Sequence, residues 1–219
     1  MSTEEVKATV VPYDEVEATK VYISYNNVHQ LCQEASAKIK EFKPDLIIAI
    51  GGGGFIPARM LRSFLKEPGM PTTRVYAIIL SLYEDLNSVS TQNEKLGAEV
   101  VRTQWIDYEK SGIDLIGKRV LIVDEVDDTR TTLHYTVSEL KKDVISQCQA
   151  KGGNPEDTKL GIFVLHDKLK PKKADLPKDV TYIAARQLPD YWIAYPWEST
   201  DIVTHTRKAI EQGNDVFLP

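Results

Sequence analysis

The chain has 219 residues, a net charge of -5, 42% hydrophobic and 27% charged residues, and two cysteines. That length serves one domain with a full core, or one core plus a small appended lobe, and the composition excludes a disordered, fibrous or membrane-embedded chain. The acidic balance argues against a dedicated nucleic-acid binder, whose footprint is basic, yet permits phosphate-bearing substrates held at a local cationic or backbone-amide site.

Residues 1–20 show no hydrophobic period and read as a loosely docked tail. They lack the apolar core of a signal peptide, and no apolar run approaches the roughly 20 residues of a membrane span, so a cytoplasmic protein without membrane contact is expected. Ser24 precedes Val28, Leu31, Cys32, Ala35 and Ile39, the pattern of a capped amphipathic helix ending before Pro44. Leu46–Ile50 is a buried strand that ends in Gly51–Gly54, and Pro57–Leu65 opens the next helix. A third apolar run, Val75–Leu80, leads through Ser81 and Tyr83 into the polar stretch 84–98, which reads as a long loop; Val100–Ile106 alternates like a strand. Val120–Val123 is another buried strand, followed by a helical pattern at Leu133, Val137, Leu140 and Val144. Leu160–Leu165 makes one more strand, and the remainder is rich in Lys, Pro and aromatics with short apolar pieces at Tyr182–Ala185 and Trp192–Tyr195. Strands alternating with helices predict an α/β fold with a parallel sheet, the tail at 1–20, a core over 21–165, and a lobe over 166–219. Cys32 and Cys148, without metal-ligand spacing, read as free thiols.

The densest chemistry follows Val123. Asp124, Glu125, Asp127 and Asp128 crowd four acids into five residues, followed by Thr129, Arg130, Thr131 and Thr132. This stretch is expected in a strand-to-helix loop, at the carboxyl end of a parallel strand, where open α/β sheets bind ligands. Asp124 and Glu125 suit a vicinal diol such as a ribose, whereas residues 128–132 enter a helix N-terminus whose free amides and hydroxyls suit a phosphate. The alternative is a solvated acidic turn in which Asp128 caps the helix. Gly51–Gly54 removes side chains where backbone must approach something closely, unless it is a flexible link; it is neither a Walker loop nor a dinucleotide fingerprint.

The segment resembles the phosphoribosyl-pyrophosphate signature of the type I phosphoribosyltransferases: a hydrophobic strand, an acidic pair, two mostly apolar residues, then Asp-Thr-Gly-x-Thr. Asp124 and Glu125 match the pair, Asp128-Thr129 the Asp-Thr, and Thr132 the last Thr. Two positions depart: Asp127 replaces an apolar residue and Arg130 replaces the Gly. A non-glycine at 130 predicts ordinary backbone angles there and a cation beside the phosphate.

Three further pieces extend the resemblance over roughly residues 21–205. The glycine run with Phe55-Ile-Pro-Ala-Arg59 is similar to the family's pyrophosphate loop, which implies pyrophosphate binding by Gly52, Gly53, Gly54 and Arg59, with Arg62 nearby. Ser81-Leu-Tyr83 resembles the start of its mobile loop, the alternative being a core tyrosine. Lys168 and the segment Trp192-Ile193 to Glu198 are similar to the purine site of xanthine-guanine and fungal hypoxanthine-guanine enzymes. There Lys168 would donate to the exocyclic O6, Trp192 would stack, Ile193 would lend main-chain bonds, and Glu198 would stand near the metal. Lys170, Lys172 and Lys173 read as a solvated face, and His29, His134 and His205 as structural.

The resemblance implies a twisted, mainly parallel sheet flanked by helices with a small hood lobe. It implies transfer of phosphoribosyl from phosphoribosyl pyrophosphate to N9 of hypoxanthine or guanine, giving IMP or GMP plus pyrophosphate. Asp128 would be the general base or acid, Asp124 and Glu125 would bind ribose and Mg2+ with Glu198 assisting, and Asp128–Thr132 would take the 5-phosphate. Family members are often dimers, so a homodimer is expected. A xanthine phosphoribosyltransferase is the alternative enzyme; a non-catalytic regulator would add a DNA- or RNA-binding surface, which the sequence does not show.

Overall fold

A computed structural model describes residues 20–83 and 99–214 of the chain. Among these residues lie eight strands: β1 Lys20–Tyr22, β2 Leu46–Gly51, β3 Arg74–Tyr83, β4 Glu99–Gln104, β5 Arg119–Asp127, β6 Lys159–Lys168, β7 Thr181–Leu188 and β8 Trp192–Ala194. The helices are α1 Tyr25–Phe42, α2 Phe55–Phe64, the single turn α3 Tyr108–Ser111, α4 Thr131–Lys151 and α5 Ile202–Glu211. Two short 3-10 turns, Pro155–Asp157 and Pro196–Glu198, complete the described elements. No described helix is long and apolar enough to cross a membrane. The tail at 1–19 and the loop expected over 84–98 lie outside the described residues.

The chain forms two compact units, the larger of residues 28–189 and the smaller of residues 20–27 with 190–214. In the larger unit six strands run in the order β4-β3-β2-β5-β6-β7. All neighbours are parallel except β3 and β4, which pair antiparallel. The sheet therefore grows outward from β2 in both directions, and the chain reverses between β2 and β5, the switch point at which open α/β sheets hold ligands. β5 reads as a continuous apolar run because both of its faces are covered. One face of α4 contributes Leu133, Val137, Leu140 and Val144 to the same core as Val120 and Ile122 of β5. Each such side chain contributes about 1.5–3 kcal/mol through burial.

In the smaller unit β1 and β8 pair in parallel, Lys20 opposite Trp192 and Tyr22 opposite Ala194. His205 of α5 is buried, bonds the Ile23 carbonyl through Nε2 at 2.9 Å, and meets the Tyr22 ring edge-on. Asp201 caps α5 by accepting from the amides of Val203 and Thr204.

The elements depart from the sequence reading in four places. β7 pairs with β6 in the main sheet, so the larger unit runs to Pro189 instead of ending at residue 165, and residues 20–27 join the smaller unit. Ser81 and Tyr83 end strand β3 instead of starting a loop, because their backbone pairs with Val101 and Glu99 of β4. Asp124, Glu125 and Asp127 belong to β5 itself, since its pairing with β6 continues through Val126–His166 and Asp127–Asp167. Helix α5 was not anticipated, although Asp201 followed by His205 and Ala209 at four-residue intervals carries its signal. Cys32 and Cys148 are free and buried; burial pushes the Cys32 thiol up to about 12.

Candidate active site

The carboxyl ends of β2 and β5 bring the glycine run and the acids together. A Cβ placed on Gly53 would fall about 2 Å from the Glu125 carboxylate, and one on Gly54 would strike the carbonyl oxygens of Val123 (2.4 Å) and Ile50 (2.6 Å). Hydrogen at Gly54 is therefore a packing requirement, whereas at Gly53 it lets the Glu125 carboxylate lie against the loop. Gly52 faces open space. The Gly51–Gly52 peptide is cis. Arg59 lies on the exposed side of α2, where its guanidinium donates to Ser63 at 3.0 Å.

Asp124 is buried and accepts the Glu125 amide at 2.9 Å. Burial, and then the adjacent Glu125 charge, push its carboxyl well above the ordinary carboxylate range. The pair thus sets hard carboxyl oxygen atoms side by side at the end of β5. No cluster of three or more His, Cys, Asp or Glu disposed to hold a metal occurs among the described residues. Two carboxylates completed by substrate oxygens fit magnesium, which usually retains few protein ligands.

Asp127 and Arg130, the two departures from the family pattern, are partners. Nε and Nη2 of Arg130 both reach Asp127 Oδ2, at 2.9 and 2.8 Å, and the Tyr182 hydroxyl donates to the same oxygen at 2.8 Å. The Asp127 side chain is wholly buried, and the guanidinium also lies over the Tyr182 ring, 5.1 Å from its centroid. Burial and the Asp127 carboxylate push the Tyr182 phenol upward. Arg130 has φ 69° and ψ 0°, which corrects the expectation of ordinary angles: it occupies the left-handed region that non-glycine residues seldom adopt. Two of its guanidinium nitrogens are engaged with Asp127.

Beyond Arg130, α4 begins, and its first-turn amides have no intrahelical acceptors. Thr129 and Thr131 hydroxyls lie 3.0 Å apart at this end, beside Thr132. Asp128 does not cap the helix; its carboxylate faces Lys170 Nζ at 2.7 Å and Lys168 Nζ at 3.6 Å. Sequence reading assigned Lys170 and Lys172 to a solvated face, and the structure turns both inward. Lys172 Nζ bonds the carbonyls of Asp127, Asp128 and Lys168 and pairs with Asp167. Lys173 contributes only its amide, to the Thr129 carbonyl. No sequence period marks these lysines, because an irregular turn between β6 and β7 aims them.

In the smaller unit a cavity of about 330 Å³ is lined by Tyr22, Trp192, Glu198, His205 and Lys208, among others. Trp192 and Glu198 thus share one cavity. Trp192 is 63% exposed, whereas Ile193 is buried.

The profile of the Phosphoribosyl transferase domain matches residues 19–194. The chain is 68% identical over 210 residues to hypoxanthine-guanine phosphoribosyltransferase of Saccharomyces cerevisiae, covering 91% of this chain and 95% of that one. It is 52% identical to xanthine phosphoribosyltransferase 1 of the same yeast, covering 91% and 99%. A solved structure of a hypothetical protein from Neisseria gonorrhoeae with bound ppGpp aligns with a TM-score of 0.68 at 34% identity, over 88% of this chain and 97% of that one. A glycine loop seated on an acid pair at the switch point, with a hydroxyl-lined helix N-terminus beside it, is what that shared sequence builds, and the chain belongs to the phosphoribosyltransferase family.

Proposed function

We propose that this chain is a hypoxanthine-guanine phosphoribosyltransferase, joining phosphoribosyl pyrophosphate to N9 of hypoxanthine or guanine and releasing pyrophosphate. The reaction class is supported above all by the contact between Gly53 and Glu125, which places a bare backbone loop against the acid pair. The choice of base is supported by 68% identity to the yeast enzyme of that specificity.

In this reading each part has a separate duty. The α4 N-terminus, with Thr129, Thr131 and Thr132, takes the 5-phosphate through amides and hydroxyls. Arg130 shapes that loop. Gly52, Gly53 and Gly54 present amides to the pyrophosphate, with Arg59 as a mobile cation. Asp124 and Glu125 accept from the ribose hydroxyls and would hold Mg2+, with Glu198 contributing through water or substrate; when bound, the ion offsets charge on the departing pyrophosphate. Asp128 takes the purine proton at N7 as N9 attacks C1 and the bond to pyrophosphate breaks. Lys168 donates to O6, a bond that the amino group of adenine cannot accept. Trp192 offers an exposed ring face for stacking, and Ile193 main-chain groups for the base edge. The protein chiefly orients the reactants and steadies charge at the ribosyl centre.

The test is pyrophosphate release by purified protein with phosphoribosyl pyrophosphate, Mg2+ and hypoxanthine, guanine, xanthine or adenine separately. Release with hypoxanthine and guanine supports the reading; release with xanthine alone replaces it, and release with none refutes it.

A further inference from the structure

We propose that Lys172 is a positioning residue for the transfer, fixing Asp128 and Lys168 relative to one another; the inference rests on the phosphoribosyltransferase reading above. Its side chain is 13% exposed, and its ammonium meets three carbonyl oxygens and one carboxylate from two strand ends. It donates to the carbonyl oxygens of Asp127 at 2.7 Å and Asp128 at 3.0 Å, at the end of β5, and to that of Lys168 at 2.9 Å, at the end of β6. Asp167 Oδ1 is its ion-pair partner at 2.8 Å, and Asp127 Oδ1 stands further off at 3.6 Å.

An ammonium has three N–H donors, so four close acceptors exhaust it. This is the valence of a structural cation, not of a solvated surface lysine, whose median contribution is small. What it ties together matters more than its own burial. Past Asp127–Asp167 and the Lys168–Leu188 pairing, the ladder stops and the chain turns. Beyond that point no backbone hydrogen bond joins Asp128 to Lys168, and their side chains are 3.6 Å apart at closest approach. Lys170 reaches Asp128 only through its carboxylate, at 2.7 Å, whereas Lys172 supplies a cross-link through main-chain oxygens that no side-chain substitution can remove. The phosphate loop has separate anchors: the Arg130–Asp127 pair and the Lys173 amide on the Thr129 carbonyl. Loss of Lys172 therefore loosens the two purine contacts while sparing phosphoribosyl-pyrophosphate binding.

The test uses Lys172→Met, and Lys172→Met combined with Asp167→Asn, so that a charge left unpaired at Asp167 does not confound folding. Pyrophosphate release is measured against purine concentration, phosphoribosyl-pyrophosphate affinity is measured without base, and folded fraction is read by thermal unfolding. In both variants kcat/KM for the purine falls about 100-fold, as misplacement of a reacting group by an ångström entails. Phosphoribosyl-pyrophosphate affinity stays within about threefold, the split that separates a transition-state loss from a binding loss. An unchanged purine KM with activity lost only in proportion to unfolded protein makes Lys172 merely structural and overturns the proposal. Unchanged kinetics in the double variant overturn it too. A native chain that turns over no base overturns the reading as a whole, an outcome distinct from either.

Discussion

Arg130 sits in the left-handed backbone region while two of its guanidinium nitrogens hold a single oxygen of the buried Asp127, at 2.9 and 2.8 Å. A left-handed conformation costs a non-glycine residue roughly 1–2 kcal/mol. The side chain offsets that cost by neutralising Asp127, so the two unusual residues account for each other.

Arg130→Ala keeps the strained angles and removes the pair, whereas Arg130→Gly removes the pair and the strain together. The alanine variant is expected to lose about 2–3 kcal/mol, as follows from leaving a buried charge with fewer partners. The glycine variant should recover about 1 kcal/mol of this. Urea unfolding of both proteins decides it: equal midpoints would show that the backbone angle contributes nothing.

The glycine loop yields a graded set. Gly52→Ala, pointing into open space, should leave stability unchanged. Gly53→Ala should fold but push aside the flexible Glu125 carboxylate, so its kcat drops while its unfolding midpoint barely moves. Gly54→Ala presses on backbone oxygens that cannot give way, and should cost about 3 kcal/mol. Activity and denaturation of the three variants must follow that order.

Asp128→Asn retains shape while removing the base proposed to take the purine proton. A decrease of about 10²–10⁴ in kcat is expected, the usual value of general acid–base catalysis, with phosphoribosyl-pyrophosphate KM nearly constant. Steady-state kinetics with hypoxanthine would contradict the role if turnover were retained.

Lys168→Ala should lower kcat/KM for hypoxanthine about 10- to 100-fold, the range of a hydrogen bond from a charged donor. Discrimination against adenine should narrow with it, because O6 recognition is lost. Competition between the two bases for one pool of phosphoribosyl pyrophosphate measures both effects.

His166 is buried in β6, and burial, then the Arg186 charge, push its imidazole down to about 4. The unfolded chain takes up that proton near 6.5. Stability is thus whole above pH 6.5 and is lost as pH falls toward 4, by about 3 kcal/mol in the limit. His166→Gln should flatten this part of the profile; urea midpoints at about pH 7 and about pH 4.5 that diverge as much in the variant as in the native protein would assign the loss to other groups.

How far such chemistry can be read from residues alone differs from one position to the next. The strands at 46–51 and 119–127 and helix 131–151 announce themselves, because a strand covered on both faces must be apolar and a helix packed on it must repeat its apolar positions. Asp127 and Arg130 were visible as anomalies but not as a pair, since their contact requires a backbone angle that an arginine seldom adopts. Lys170 and Lys172 were misplaced for a different reason. Inside an irregular turn, no period tells a lysine aimed inward from one aimed at water, and only the carbonyl oxygens at the ends of β5 and β6 decide it. Asp201 did carry a legible capping signal for α5, hidden by the aromatic segment before it.

The pairing of β1 with β8 joins residues 172 positions apart in the chain, and the bond from the Tyr22 amide to Gln212 spans 190. At ribosomal speeds of about 5–20 residues per second, the first strand emerges roughly ten to thirty seconds before its partner. Every strand of the large sheet is synthesised in that interval, so the glycine loop after β2 and the turn into α4 are complete while Lys20–Tyr22 still waits. The smaller unit is thus the last to close during biosynthesis, and a chain truncated before residue 192 loses its first strand pairing along with its last.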